Sequence, residues 1–120
     1  MLRRAGYRPG HLEVTVAATT LDAFFADRPP AGCAVWIDVE GAAHLVLDGA
    51  HELLGDTQVL IIEVEERAVW SGQKVRREVV AELRRLGFVP VARDFQARLQ
   101  FNIVFIRDSL RQSADIAALI

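Results

Sequence analysis

Apolar and polar residues alternate in short blocks whose period changes along the chain. Residues 12–17 alternate strictly and are rich in β-branched side chains, which predicts a half-exposed strand. The almost continuous apolar run at 58–64 predicts a strand that is buried on both faces. Shorter apolar runs predict the remaining strands, at 34–38, 88–93 and 101–107.

Apolar residues at helical spacing separate these strands. They predict helices over 21–26, about 42–54 and about 73–86. Thr19 or Thr20 can cap the first helix, and Ser71 can cap the third. Gly55 and Gly87 are expected to end the second and third helices. Residues 108–120 form a tail that is predicted to be a frayed helix.

The alternation of strands and helices predicts the α/β class. Strands joined through helices imply right-handed crossovers, a mostly parallel sheet and helices on both of its faces. The short connection at 94–100 predicts one antiparallel strand at the end of the chain. A chain of 120 residues has room for one domain, so we expect residues 1–120 to fold as a single unit.

Composition excludes several classes of protein. The chain is 52% hydrophobic and 25% charged, which excludes disorder. Its formal charge of −2 gives no electrostatic reason to expect nucleic acid or an anionic membrane as a partner. The apolar runs are too short to span a membrane. The single cysteine, Cys33, allows no internal disulfide and favours a reducing compartment, so we expect a cytoplasmic protein.

Three carboxylates are predicted to meet at one edge of the sheet. Asp38 ends one strand, Glu40 lies in the turn that follows it, and Glu63 lies near the end of the next strand. In open α/β sheets the carboxyl ends of the strands form the ligand site. Adjacent carboxylates repel one another unless a cation, a proton or a helix N-terminus offsets the repulsion. An alternative is that Asp38 and Glu40 only cap the helix that follows them.

Sequence motifs around these carboxylates resemble the FkbM-type methyltransferases. The segments that carry the resemblance are Thr20-Leu21-Asp22, Trp36-Ile37-Asp38-Val39-Glu40-Gly41-Ala42 and Val46-Leu47-Asp48-Gly49-Ala50. Weaker matches follow at Ile62-Glu63, Leu86-Gly87-Phe88 and Asn102-Ile103-Val104-Phe105. The resemblance runs from about residue 14 to residue 107.

The resemblance implies an S-adenosylmethionine-dependent O-methyltransferase with a Rossmann-like sheet. The acceptor would be a hydroxyl group of a small molecule or a glycan. Asp38 and Glu40 would lie beside the transferring methyl group as catalytic residues, and Asp38 and Val39 would contact the cofactor. The family often has Lys at the position of Trp36 and Glu at the position of His44, so the resemblance does not identify the proton acceptor.

Three further residues are candidates because of their positions. His44, near the predicted start of the second helix, could act as a general base toward an acceptor hydroxyl. Glu63 and Trp70, near the carboxyl ends of the strands, could line the acceptor pocket. The spacing of His44, Asp48 and His51 is more typical of a solvated helix face than of a metal site, so no metal is expected. Trp36 is expected in the core.

The cofactor half of the family pattern is not found in this sequence. Class I methyltransferases hold the cofactor at a glycine-rich turn that follows a first strand, but only Gly6 and Gly10 precede residue 12. The chain therefore resembles the C-terminal half of the domain. We expect it to be inactive alone. Either the chain is a truncation, or a partner supplies the missing half, or the cofactor site has been lost.

The alternative is a non-catalytic oligomerising remnant or association module. The strand at 34–38 would then be an exposed sheet edge, which favours a homodimer.

Overall fold

The computed structural model describes residues 3–4, 14–95 and 97–112. Its strands are β1 (Arg3–Arg4), β2 (Cys33–Ile37), β3 (Thr57–Glu65), β4 (Trp70–Ser71), β5 (Phe88–Arg93) and β6 (Gln100–Arg107). Its helices are α1 (Leu21–Phe25), α2 (Ala43–Asp48), α3 (His51–Asp56) and α4 (Arg76–Arg85), and a 3₁₀ helix spans Asp108–Gln112. No helix in these ranges is long and apolar enough to cross a membrane.

The central sheet has four strands in the order β2-β3-β6-β5. β2 and β3 are parallel, whereas β6 runs antiparallel to both of its neighbours. Three of the four strands therefore point the same way, and β6 is the predicted antiparallel strand. Because β6 lies between β3 and β5, only one neighbouring pair is parallel, and the expectation of a mostly parallel sheet was wrong for the pairing. The fold is mixed α/β.

One face of the sheet carries the hydrophobic core. Alternate residues of the strands point to this face because side chains alternate along a strand. The core residues from the sheet include Leu60, Ile62, Val64, Phe88, Phe101, Ile103 and Phe105, and those from the helices include Leu47, Leu54, Val79 and Leu83. The helices thus bury the apolar stripe that each of them carries against a single side of the sheet.

The opposite face is not covered by any helix of the described ranges. Trp36 is 68% exposed there. Its neighbours in the register, Ile61 on β3 and Val104 on β6, are half-buried. The expectations that helices cover both faces and that Trp36 belongs to the core were therefore wrong, because the pattern of one strand does not show which side the helices occupy.

The predicted helix over 42–54 is two short helices, α2 and α3. The break occurs at Gly49, whose carbonyl accepts a hydrogen bond from the Asp22 N–H at 3.0 Å. The Asp22 carboxylate in turn accepts hydrogen bonds from the N–H groups of Glu52 (3.1 Å) and Leu53 (3.0 Å), in the first turn of α3. Burial alone would raise the pKa of Asp22, but these hydrogen bonds outweigh it and lower the pKa. Gly55 lies inside α3 and does not end it.

Of the other predicted helix boundaries, those at Thr20 and Gly87 agree with the structure and the one at Ser71 does not. Thr20 caps α1 as predicted, accepting a hydrogen bond from the Ala23 N–H at 3.1 Å. Ser71 does not cap α4, because it lies in β4 and pairs with β1. The Glu78 carboxylate instead accepts a hydrogen bond from the Val75 N–H at 3.0 Å. Gly87, with φ +85°, follows α4 as predicted.

Two predictions near the ends of the chain fall only partly within the described residues. Residues 14–17 of the predicted strand 12–17 are exposed and form no strand, while residues 12 and 13 lie outside the described residues. The first five residues of the predicted tail helix form the 3₁₀ helix, and 113–120 lie outside the described residues.

Arg107, the last residue of β6, holds the ends of two helices against the sheet. Its guanidinium donates hydrogen bonds to the carbonyls of Leu54 in α3, of Leu86 after α4 and of Thr57 in β3. The same group lies 4.1 Å from the centre of the Phe88 ring. A cation at these helix C-termini gives the terminal carbonyls a charged donor and interacts favourably with the helix dipoles.

We expect Arg107→Met to lower the free energy of unfolding by about 2–4 kcal/mol, because several partly buried carbonyls lose a charged donor. Urea unfolding followed by circular dichroism measures this change. Arg111→Met is the matched control, since Arg111 is 60% exposed and forms only a 3.7 Å ion pair with Asp108. Its expected effect is below about 0.5 kcal/mol. Equal losses in both variants would contradict the proposed role of Arg107.

Candidate functional site

The parallel register of β2 and β3 brings two carboxylates together at the carboxyl ends of these strands. Ile37 pairs with Ile62, so Asp38 and Glu63 follow at equivalent positions, where β2 ends and β3 continues. In α/β sheets, ligands bind at the carboxyl ends of the strands.

A tight turn after β2 positions the third carboxylate. The Ala42 N–H donates a hydrogen bond to the Val39 carbonyl at 3.1 Å, and the two residues between them have positive φ, +48° at Glu40 and +87° at Gly41. Positive φ at both central residues is typical of a type I′ turn. Glu40 has a Cβ and adopts this conformation at a cost, whereas Gly41 does so freely. Backbone strain of this kind is often found at functional sites.

Gly41 lies directly against Trp70 and Gln73. A Cβ at this position would lie 2.6 Å from Trp70 Cδ1 and 2.8 Å from Gln73 Nε2. The Gln73 side-chain carbonyl accepts hydrogen bonds from the N–H groups of Val69 (2.8 Å) and Trp70 (3.0 Å), which fixes the loop against the turn. Trp70 therefore lies beside the turn that carries Glu40 and is half-buried. Gln73 was not predicted, because an isolated glutamine carries no sequence signal.

Asp38, Glu40 and Glu63 form one group, called here the carboxylate cluster. One oxygen of each lies within 4.8 Å of the oxygens of the other two. Asp38 and Glu40 are exposed and Glu63 is half-buried. Gln100 Nε2, at the start of β6, donates a hydrogen bond to Glu40 Oε2 at 3.4 Å. This spacing suits one shared proton, a donor from a ligand, or a hard cation held by carboxylate oxygens.

Burial and mutual repulsion raise the pKa of Glu63. Loss of hydration is the largest cause, a hydrogen bond with Gln100 opposes it, and the charges of Asp38 and Glu40 add to the increase. Glu63 Oε1 is buried and has no hydrogen-bond partner among the described residues. Glu65, 6% exposed, also has a raised pKa, because of burial and then the charge of Glu63. The cluster thus favours binding of a proton or of a hydrogen-bond donor.

The other predicted site residues are not members of the carboxylate cluster. His44 is 7% exposed on α2, and its Nδ1 has no hydrogen-bond partner in the described part of the chain. Val39 is 37% exposed, next to Asp38. The break at Gly49 interrupts the helix face that was predicted to carry His44, Asp48 and His51.

Two cavities, of about 530 and 330 Å³, lie against β5, and neither is lined by Asp38, Glu40 or Glu63. Gly41 could let a ligand approach the backbone, but Trp70 and Gln73 already occupy that space. The carboxylates suit the positive sulfonium end of S-adenosylmethionine.

Comparison with known proteins gave one match. The family model described as the methyltransferase FkbM domain matches residues 3–90. The matched region is more than half of the 120-residue chain and contains the whole carboxylate cluster. It confirms the resemblance that the sequence motifs predicted, and it ends before β6. Neither the curated proteins nor the solved structures gave a significant match.

We expect Gly41→Ala to lower the free energy of unfolding by at least about 2 kcal/mol, because the new Cβ is strained by the positive φ and collides with Trp70. Thermal and urea unfolding measure the change. Gly55→Ala is the control: no atom lies within 4 Å of its Cβ position, and alanine favours the helix, so stability should rise by up to about 1 kcal/mol. A neutral Gly41→Ala would show that the turn tolerates another conformation.

We expect Glu63→Gln to stabilise the protein at pH 7 and to have little effect near pH 4. The folded protein raises the pKa of Glu63, so the stability linked to its protonation is complete below the ordinary glutamate pKa and is lost as the pH rises through the folded-state pKa. Removing one charge from the cluster should add about 1 kcal/mol at pH 7.

Urea unfolding at both pH values tests this, with Asp27→Asn as an exposed control outside the cluster. A Glu63→Gln variant that is less stable than the native chain at pH 7 would show that attraction, and not repulsion, dominates at Glu63.

Proposed function

The chain belongs to the FkbM methyltransferase family, and we propose that it carries the acceptor side of an S-adenosylmethionine-dependent O-methyltransferase site. The acceptor is a hydroxyl group of a small molecule or a glycan. The observation that carries this proposal is the convergence of three carboxylates within 4.8 Å, at the carboxyl end of the parallel strand pair and inside the matched region.

The chemistry of methyl transfer explains the use of such a cluster. S-adenosylmethionine, when bound, supplies a methyl group on a positive sulfonium. The protein must align the acceptor oxygen in line with that methyl group and remove the hydroxyl proton. Asp38 accepts the hydroxyl proton in this proposal, and Glu40 orients the hydroxyl. The negative charge of both residues also complements the sulfonium.

Glu63 adds a third carboxylate to the proposed acceptor site. Its buried Oε1 lacks a donor among the described residues, so a second hydroxyl of the acceptor would satisfy it. Trp70, held against Gly41, provides an apolar wall on the same side, and Val39 is next to Asp38 for contact with the cofactor. The role of His44 as an auxiliary base stays a prediction, because no described contact joins its ring to the carboxylate cluster.

We further propose that the glycine-rich half of the cofactor site comes from another polypeptide segment. The sequence offers no glycine-rich turn before residue 12, and the two cavities beside β5 are not lined by the carboxylates. The single cysteine supports a cytoplasmic location. The second candidate function, a non-catalytic association module, is favoured by the exposed apolar face around Trp36.

The decisive experiment joins the glycine-rich half of an active FkbM-type enzyme to this chain and measures methyl transfer from labelled S-adenosylmethionine to the acceptor of that enzyme. We expect transfer by the chimaera, and no saturable heat of cofactor binding when the 120-residue chain is titrated alone. Asp38→Asn should reduce the rate at least 100-fold, as expected for the loss of a general base.

Two controls make the result interpretable. Asp56→Asn changes an exposed carboxylate outside the cluster and should leave the rate within about two-fold. Cofactor binding by the chimaera, measured by calorimetry, shows whether its two halves have assembled. An assembled chimaera that transfers no methyl group, or one unaffected by Asp38→Asn, would contradict the proposed function and favour the association module.

A further inference from the structure

The two edge strands of the four-stranded sheet, β2 and β5, differ in how well they are protected against pairing with another strand. The β5 edge contains Pro90, a shift in register between Pro90 and Ala92, and the charged residue Arg93. Proline, bulges and charges are the features by which natural proteins prevent strand addition at an edge. The β2 edge, with the sequence Cys-Ala-Val-Trp-Ile, contains no proline and no charge, and its register shift lies at the start of the strand, between Cys33 and Ala34. Of these two edges, β2 is the one that remains competent to pair.

We propose that β2 pairs antiparallel with β2 of a second copy of this chain, forming a continuous eight-stranded sheet across a twofold axis. The axis passes through Val35, so Val35 faces the partner's Val35. Such an interface is isologous, because each copy contributes the same strand to the other. This inference extends the second candidate function, in which β2 is an exposed edge, because a cofactor half that paired with β2 would exclude the second copy.

The side chains on β2 complement one another in this register. Ala34 and Trp36 are both exposed on the face of the sheet that no described helix covers. With the axis at Val35, Ala34 lies opposite the partner's Trp36, and directly opposed side chains are in contact. The small residue leaves room for the indole of the other copy. Each Trp36 side chain, 68% exposed in the single chain, thereby covers Ala34 of the other copy on the apolar face.

Charge selects the antiparallel orientation over the parallel one. Asp38 follows β2 directly, and Glu40 follows two residues later. A parallel pair would place the carboxylate clusters of both copies side by side, which is unfavourable for like charges. The antiparallel pair places them at opposite ends of the shared strands. A second copy therefore fits the edge with the two carboxylate clusters kept apart.

The size of the contact indicates a modest affinity. β2 is five residues long, and the two tryptophans supply most of the apolar area available to the contact. Interfaces smaller than the standard size are typically weak or transient. We expect half of the chains to be dimeric at a concentration of the order of tens of micromolar.

Sedimentation velocity of the full chain from 1 to 200 µM tests the proposal. We expect a concentration-dependent monomer–dimer equilibrium, weakened at least about 10-fold by Trp36→Lys and by Ala34→Lys. Both residues are exposed in the monomer, so both variants should fold, which circular dichroism verifies. Phe95→Lys, at an 83% exposed aromatic residue after β5, is the matched control and should leave the equilibrium unchanged. A monomer throughout the range, or a dimer that resists both lysine variants, would overturn the proposal.

The register has its own test. In a Cys33→Ser background, Val35→Cys should form a disulfide-linked dimer on mild oxidation, because the two residues face each other at the axis. Val89→Cys in the same background lies on the protected edge strand β5 and should cross-link far more slowly. Equal cross-linking at both positions would show that association does not use β2.

Discussion

The parallel pairing of β2 with β3 is the constraint on which the rest of this molecule depends. It sets Ile37 against Ile62 and therefore carries Asp38 to the level of Glu63. A shift of one residue would move the apolar side chains of β2 to the other face and would separate the carboxylates. The core and the candidate site are thus fixed by the same register, and a substitution that weakens one would disturb the other.

The helices add to this pairing from one side only, and long-range polar contacts hold their ends. Asp22 binds the N-terminus of α3, while Arg107 binds the carbonyls at the ends of α3 and α4. These contacts join residues that are 21 to 53 positions apart in the chain. On the opposite face Trp36 is exposed and Ile61 and Val104 are half-buried, whereas Ile106 is buried. The strand order leaves β2 at an edge of the four-stranded sheet.

The sequence pattern predicted the features that depend on local periodicity. The bounds of β5 agree fully, those of β2, β3 and β6 agree to within one residue, and the carboxylates do converge. The exposure of Trp36 was not predictable, because an apolar run looks the same whether one face or both are covered. The break at Gly49 could not be predicted from the neighbouring residues, since it depends on a hydrogen bond from Asp22. Gln73 reaches the site from a loop and Gln100 from the first position of β6, and a single glutamine leaves no periodic signal.

The contact between Trp70 and Gly41 also gives the molecule an optical reporter. The chain has two tryptophans, and their surroundings differ: Trp36 is open to water, whereas Trp70 is half-buried against the turn that carries Glu40. The long-wavelength part of the emission therefore belongs to Trp36, and the shorter-wavelength part to Trp70. Selective quenching by iodide would separate the two signals, so that events at the sheet edge and at the carboxylates can be followed in one spectrum.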